Sequence, residues 1–172
     1  MTVVTRDANQ KVKKIRCCID ARQLNNGLVM DNAPLGNIRD IYQQMGSFKY
    51  FSEFDLRSAF TQFPVHRDDQ HKLTFTWQGV QYSFRSAIFG LAHMAQTCSR
   101  VLTSIFSGLP NCFVYCDNLL VASRTLEEHE EHCSALIEIC NQFNILLQPD
   151  KCVLVHTRLK TLGNPLWHWN RT

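Results

Sequence analysis

Phe113-Val114-Tyr115-Cys116-Asp117-Asn118-Leu119-Leu120-Val121 is a run of strand-forming residues broken by one acid and one amide. An ionised carboxylate at the edge of an apolar run is costly to desolvate unless a cation or a donor neutralises it. The flanks Cys112 to Cys116 and Leu119 to Ser123 predict two strands, with Asp117-Asn118 as the turn between them. Upstream, Phe51-Ser52-Glu53-Phe54-Asp55-Leu56-Arg57-Ser58-Ala59-Phe60 repeats the construction, and Tyr50 to Asp55 predicts a strand that delivers Asp55 at its end. Taken alone, Asp117-Asn118 also suits a plain turn, and Asp55 also suits the cap of a helical turn at Ser58.

Two such carboxylates brought together would repel each other, and divalent metal is the usual remedy. That combination is the chemistry of nucleotidyl transfer. The elements around the two aspartates predict a sheet to carry them. Lys14 to Asp20 predicts a strand entering a polar turn at Arg22 to Gly27. Ile38, Ile41, Tyr42 and Met45 recur at helical spacing after Pro34, and Gly46 ends that helix. Leu73 to Trp77 and Val80 to Phe84, joined by Gln78-Gly79, predict a hairpin. Ala92 to Phe106 carries one helical stripe, stopped by Gly108 and Pro110. Thr125 and Glu128 form a capping box for a helix whose stripe runs Leu126, Cys133, Leu136, Ile137, Cys140 and Phe143. Cys152 to Val155 predicts a last short strand. Hairpins mixed with a few long amphipathic helices define an α+β fold, an antiparallel sheet with helices packed on one face.

Composition narrows the function classes. The chain has 172 residues, 45% hydrophobic and 19% charged, so it builds an ordinary core and is not disordered. No apolar stretch reaches the length of a membrane span, and the first residues lack the apolar core of a signal peptide, which predicts an intracellular protein with no membrane partner. Eight cysteines in a chain of this length read as reduced thiols on apolar faces, not as a disulfide framework. The net charge of +3 is too small to announce a nucleic-acid partner, though Arg6, Lys11, Lys13, Lys14 and Arg16 crowd the N-terminus. A solvated face is the plain alternative for that cluster.

The order of these blocks resembles the reverse transcriptase of Gypsy-like long-terminal-repeat retrotransposons. The resemblance runs from roughly Val3 to Gly163. Arg16-Cys17-Cys18-Ile19-Asp20-Ala21-Arg22-Gln23-Leu24-Asn25 is similar to the family's fingers motif, and Tyr50 to Gln62 to its first catalytic block. Phe89-Gly90-Leu91 with Ala95-Gln96-Thr97 and Arg100 resembles the segment beneath the nucleotide. Tyr115-Cys116-Asp117-Asn118 resembles the tyrosine-x-Asp-Asp box, and Glu127-Glu128-His129, Pro149-Asp150-Lys151-Cys152 and Leu162-Gly163 follow in order.

The resemblance implies a polymerase palm with partial fingers: fingers at 1–50, palm at 51–163 with a fingers insertion around 64–88, and an unmatched tail at 164–172. Thumb and RNase H segments have no counterpart in the 172 residues. It implies RNA-directed DNA synthesis with two Mg²⁺ or Mn²⁺ ions, a primed RNA or DNA template and a dNTP, in the cytoplasm within particles or in the nucleus. Asp55 and Asp117 are then the metal ligands, with Asn118 and Lys151 completing the catalytic set, and the backbone carbonyl of Phe54 or Leu56 is a further candidate ligand. Arg16, Phe60, Phe89 and Gly90 bind the nucleotide: Arg16 grips the triphosphate and Phe60 contacts the sugar. Lys151 protonates the departing pyrophosphate. Core packing for Phe60 and plain exposure for Lys151 are the alternatives.

The chain departs from the family pattern where Asn118 replaces a carboxylate, and where Ile88, His93-Met94, Cys98-Ser99 and Asn164 replace the usual residues. Two other readings stand beside the polymerase. A retroelement remnant would bind nucleic acid without catalysis. Cys112-x3-Cys116-x12-His129-x3-Cys133 has the spacing of a zinc-binding module.

Overall fold

A strand that is apolar at every position is one buried on both faces, and Leu119-Leu120-Val121-Ala122 therefore marks the centre of a sheet. The computed structural model describes residues 2–6, 9–17, 19–29 and 37–157, with the backbone alone for 2–6 and 13–17. Its strands and helices are β1 (Thr2–Arg6), β2 (Val12–Cys17), α1 (Arg22–Asn26), α2 (Ile38–Met45), β3 (Tyr50–Asp55), β4 (Thr74–Trp77), β5 (Val80–Ser83), α3 (Met94–Phe106), β6 (Cys112–Tyr115), β7 (Asn118–Ser123), α4 (Leu126–Gln142) and β8 (Val153–His156). Short 3-10 turns lie at Ala59–Gln62, Arg67–Lys72 and Pro149–Lys151. Two compact units form, Met1–Asp31 with Phe60–Met94 and Asn32–Ala59 with Ala95–Thr172.

The second unit holds an antiparallel sheet in the order β6-β7-β3-β8. Side chains alternate across it, so Ser52 and Phe54 share a face with Leu119, Val121 and Ser123. Helix α4 lies on that face, where His129 reaches Ser52 and Ser123. On the other face Leu120 and Ala122 join Ile41 and Met45 of α2 in a buried cluster, packed by Tyr42, Phe48, Phe51, Phe113 and Tyr115. This is the expected α+β arrangement with an antiparallel sheet, but helices cover both faces, α4 on one and α2 on the other, and not one face alone. Leu119, Leu120 and Leu136 are fully buried, each contributing roughly 1.5–3 kcal/mol.

Helix ends follow their chemistry. The Asn37 side chain accepts from the Arg39 N–H to open α2, and Gly46 caps its end. Thr125 accepts from the Glu128 N–H at 3.2 Å, while the Glu128 carboxylate accepts from the Arg124 N–H at 2.7 Å. That backbone donor holds the Glu128 carboxyl below its ordinary range.

Three sequence expectations need correction. Arg22–Asn26 forms the short helix α1 and not a polar turn; Ala21 is its N-cap, and the Asp20 carboxylate accepts from both the Arg22 N–H and its guanidinium. The α4 stripe is rotated: Leu126, Ile137 and Phe143 are exposed, and His129 is buried with Leu136 and Cys140. Finally, the turn joining β6 to β7 is Cys116-Asp117, with Tyr115 paired to Asn118. Cys116 takes the positive φ of 54° that such a tight turn demands at its first position, so Asn118 becomes the first residue of a strand.

In the first unit β1 pairs antiparallel with β2. β4 and β5 form the expected hairpin, with Trp77 opposite Val80. Its turn residues Gln78 and Gly79 both have positive φ, 49° and 77°, the signature of a type I′ turn. The expected tail at 164–172 lies outside the described residues.

Candidate active site

Strand register brings the central candidates together. Asp55 stands directly opposite Asn118 across the β3–β7 ladder, and Asn118 stands opposite Tyr115 of β6. Directly opposed residues place their Cβ atoms roughly 4.5–5.5 Å apart, so Asp55 and Asn118 are side-chain neighbours on one face. Asp117 occupies the hairpin tip one residue away. Cys98 of α3 is fully buried, and burial first, then the charges of Asp117 and Cys116, push its thiol up to about 12.

The fourth candidate reaches the same point by a different path. Leu147 bridges to Leu56, the Arg57 N–H donates to the Leu146 carbonyl, and the Gln148 N–H donates to the carbonyl of Asp55 itself at 2.8 Å. The 3-10 turn Pro149–Lys151 follows at once, and the Lys151 Nζ lies 2.9 Å from Oδ1 of Asp55. The Asp55 carboxylate is 21% exposed and the lysine side chain 64%.

The donor set suits a hard cation. Asp55, Asp117 and the Asn118 amide offer oxygen only, and the Asp55 carboxylate already draws a cationic group to itself. Among the described residues no three His, Cys, Asp or Glu side chains converge to hold a metal. The register sets Asp55 opposite Asn118, with Asp117 in the adjoining turn.

A buried relay behind the site was missed by the sequence reading. The Val155 N–H donates to the Ser52 hydroxyl at 3.0 Å, and that hydroxyl meets His129 Nε2 at 2.7 Å. His129 Nδ1 meets the Ser123 hydroxyl at 2.9 Å, which in turn meets His132 Nδ1 at 3.0 Å. Ser52 thus takes the Val155 N–H on one side and His129 on the other, and both ring nitrogens of His129 are met by serine hydroxyls. The relay fills a gap in the ladder, because β3 and β8 slip register between Phe51 and Glu53 and Val155 sits at φ 51°. The only signal in the sequence was an isolated histidine one turn before Cys133.

The relay also disposes of the zinc reading. Both ring nitrogens of His129 are occupied by serine hydroxyls. Burial pushes the Cys112 thiol up to about 12, and Cys133 lies within hydrogen-bonding reach of Ser52. Zinc-like spacing arose from strand and helix periods that use these residues for packing.

In the first unit, the rings of Phe60 and Phe89 meet at 5.4 Å with an interplanar angle of 55°. Gly90 adopts φ +105°, which a side chain would strain, while a Cβ there would meet only ordinary contacts. Asn25 clasps this loop from both sides, donating to the Gly90 carbonyl at 2.8 Å and accepting from the Ala92 N–H at 3.0 Å. All four nucleotide candidates thus belong to one unit. The Arg16 side chain lies outside the described residues, and the Arg22 guanidinium is taken up by Asp20.

The fold matches a solved structure described as the foamy viral protease-reverse transcriptase in complex with RNA/DNA hybrid, with a TM-score of 0.83. The match covers 95% of this chain and 22% of that one at 20% sequence identity, a likeness of fold: a reverse transcriptase palm with fingers segments. The profile of the family described as reverse transcriptase (RNA-dependent DNA polymerase) matches residues 6–166. The chain belongs to the reverse transcriptase family. It is 32% identical over 158 residues to the retrovirus-related Pol polyprotein from transposon 412 of Drosophila melanogaster, covering 91% of this chain and 13% of the relative. To the Pol polyprotein from transposon gypsy of the same species it is 26% identical over 150 residues, covering 86% of this chain and 14% of the relative. The chain spans about one-seventh of these curated relatives, whose kinship is the Gypsy-like one that the motif order implied.

Proposed function

We propose that this chain is the palm and part of the fingers of an RNA-directed DNA polymerase. It would extend a primer 3′-hydroxyl with dNTPs, using Asp55 and Asp117 to hold two Mg²⁺ or Mn²⁺ ions. The observation that carries this reading is the register pairing of Asp55 with Asn118, one residue from Asp117, on a strand–turn–strand scaffold. When bound, such ions supply Lewis acidity to the attacking and leaving oxygens.

The chain's own residues do the positioning. The β6–β7 turn and the end of β3 fix the two carboxylates, so little reorganisation is needed as negative charge builds on the phosphoryl oxygens. Asn118 lends an oxygen without charge. Lys151, whose turn is tied to the Asp55 backbone, would give a proton to the departing pyrophosphate. In the first unit Phe60 is proposed to meet the sugar, with Phe89 and the Gly90 backbone receiving the nucleotide and Arg16 its phosphates. The fingers assignments of 1–50 and 64–88, and the palm assignment of 51–163, belong to the same reading. A primed RNA or DNA template is the partner, held chiefly through phosphate contacts, in the cytoplasm or nucleus.

Mg²⁺- or Mn²⁺-dependent primer extension on an RNA template tests it. The native chain should extend, Asp55→Asn and Asp117→Asn should lose extension by at least about a hundredfold, and Asn118→Asp should retain or raise it. A native chain that binds template–primer with steep salt dependence yet never extends would replace this reading with the nucleic-acid-binding remnant.

A further inference from the structure

We infer that Lys151 is a resident counter-ion of the metal site, holding the Asp55 carboxylate until a divalent cation displaces it. The inference rests on the metal-binding reading above and deepens it. Two facts make the contact more than a chance meeting of long side chains. The turn that carries Lys151 begins at Gln148, whose N–H is bonded to the carbonyl of Asp55, so the backbone of the ligand residue itself delivers the ammonium. The Lys151 N–H then returns to the Gln148 carbonyl and closes the turn beneath the 2.9 Å ion pair.

The exchange is built into the exposures. Asp55 is mostly shielded, while the lysine side chain is 64% exposed and regains water readily when it leaves. One ammonium neutralises one carboxylate. Asn118 adds no charge opposite Asp55, so with the Lys151–Asp55 pair neutral, Asp117 is the remaining charged member of the proposed donor set. Competition from Lys151 is therefore strongest with asparagine at 118. With the lysine in place the set of Asp55, Asp117 and Lys151 carries one net negative charge, and an added carboxylate at 118 would make it two. Once displaced, the same ammonium is free to face the pyrophosphate side, which joins cation loading to readiness of the proposed proton donor.

Binding of Mn²⁺ alone, followed by the electron paramagnetic resonance of the free ion, tests the exchange without requiring polymerisation. Lys151→Met should bind Mn²⁺ about two- to fivefold more tightly than the native chain, as expected for loss of a partly exposed ion pair. Lys151→Arg should bind like the native chain, and the gain from Lys151→Met should shrink in an Asn118→Asp background. Acylation of Lys151 by an amine-selective reagent, read by mass spectrometry, should speed up on saturation with Mn²⁺ and in Asp55→Asn without metal. Unchanged or weaker Mn²⁺ binding in Lys151→Met, with measurable binding in the native chain, overturns the exchange while leaving the metal site standing. No Mn²⁺ binding in any variant overturns both, even if Asp55→Asn alone frees the lysine.

Discussion

Asn118 faces Asp55 across the β3–β7 ladder, so an amide stands beside one carboxylate while Asp117 occupies the adjoining turn. A second acid at this directly opposed position would repel Asp55 by roughly 0.2–1 kcal/mol in the absence of metal. Asn118→Asp should therefore melt below the native chain in chelator and gain more stability on adding Mg²⁺, measured as paired thermal melts with and without the ion. Equal Mg²⁺ responses in the two proteins would separate position 118 from metal binding. At this scale Asp55 and Asp117 were legible because each breaks an apolar strand run. The contact of Asp55 with Lys151, 96 positions away, was not, since it depends on a turn fixed by backbone bonds that no side-chain pattern reports. The clasp of Asn25 around the Gly90 loop was hidden for the same reason, although Leu24-Asn25 stood out as a motif.

Strand β8 and helix α4 meet β3 through the Ser52–His129–Ser123 relay, and this is where acid should act on the fold. Burial first, and the neighbouring His132 second, lower the pKa of His129 below its ordinary 6.5, against the opposing pull of Glu128. The folded chain thus holds the ring neutral while the unfolded chain takes up a proton near 6.5. The stability it confers is complete above that value and is lost as pH falls below it toward the lowered folded value. Urea midpoints taken at about pH 7.5 and about pH 5.5 should drop on acidification in the native chain and drop less in His129→Gln. Matching pH responses would show that the relay titrates no differently in the two states. Element positions were mostly readable: Gly46, Gly108 and the Thr125–Glu128 box end or begin helices where their chemistry requires. The face of α4 was not, because a buried histidine satisfied by two serines looks polar in sequence and apolar in packing. The one-residue shift of the β6–β7 turn has a similar origin, for Cys116 lacks the usual preference for positive φ and Asp117-Asn118 is the better turn pair on propensity alone.

Over the whole molecule, the sequence carries the α+β class and the family through the order of its blocks, and the structure supplies the register that sets Asp55 opposite Asn118 beside the Asp117 turn. Each unit keeps its own part: the carboxylates, Asn118 and Lys151 in one, and Phe60, Phe89 and Gly90 in the other. No helix of the described residues is long and apolar enough to cross a membrane. The described cysteines are free thiols, consistent with their use as small packing groups. Whether Asp55 and Asp117 converge on divalent metal, as proposed, is decided by anomalous scattering from crystals grown with Mn²⁺. Anomalous density should lie at coordination distance, roughly 2.0–2.3 Å, from carboxylate oxygens of both residues. Its disappearance should follow in Asp55→Asn. Manganese bound only elsewhere, or carboxylates of Asp55 and Asp117 too far apart to share an ion pair at full occupancy, would contradict the proposed convergence.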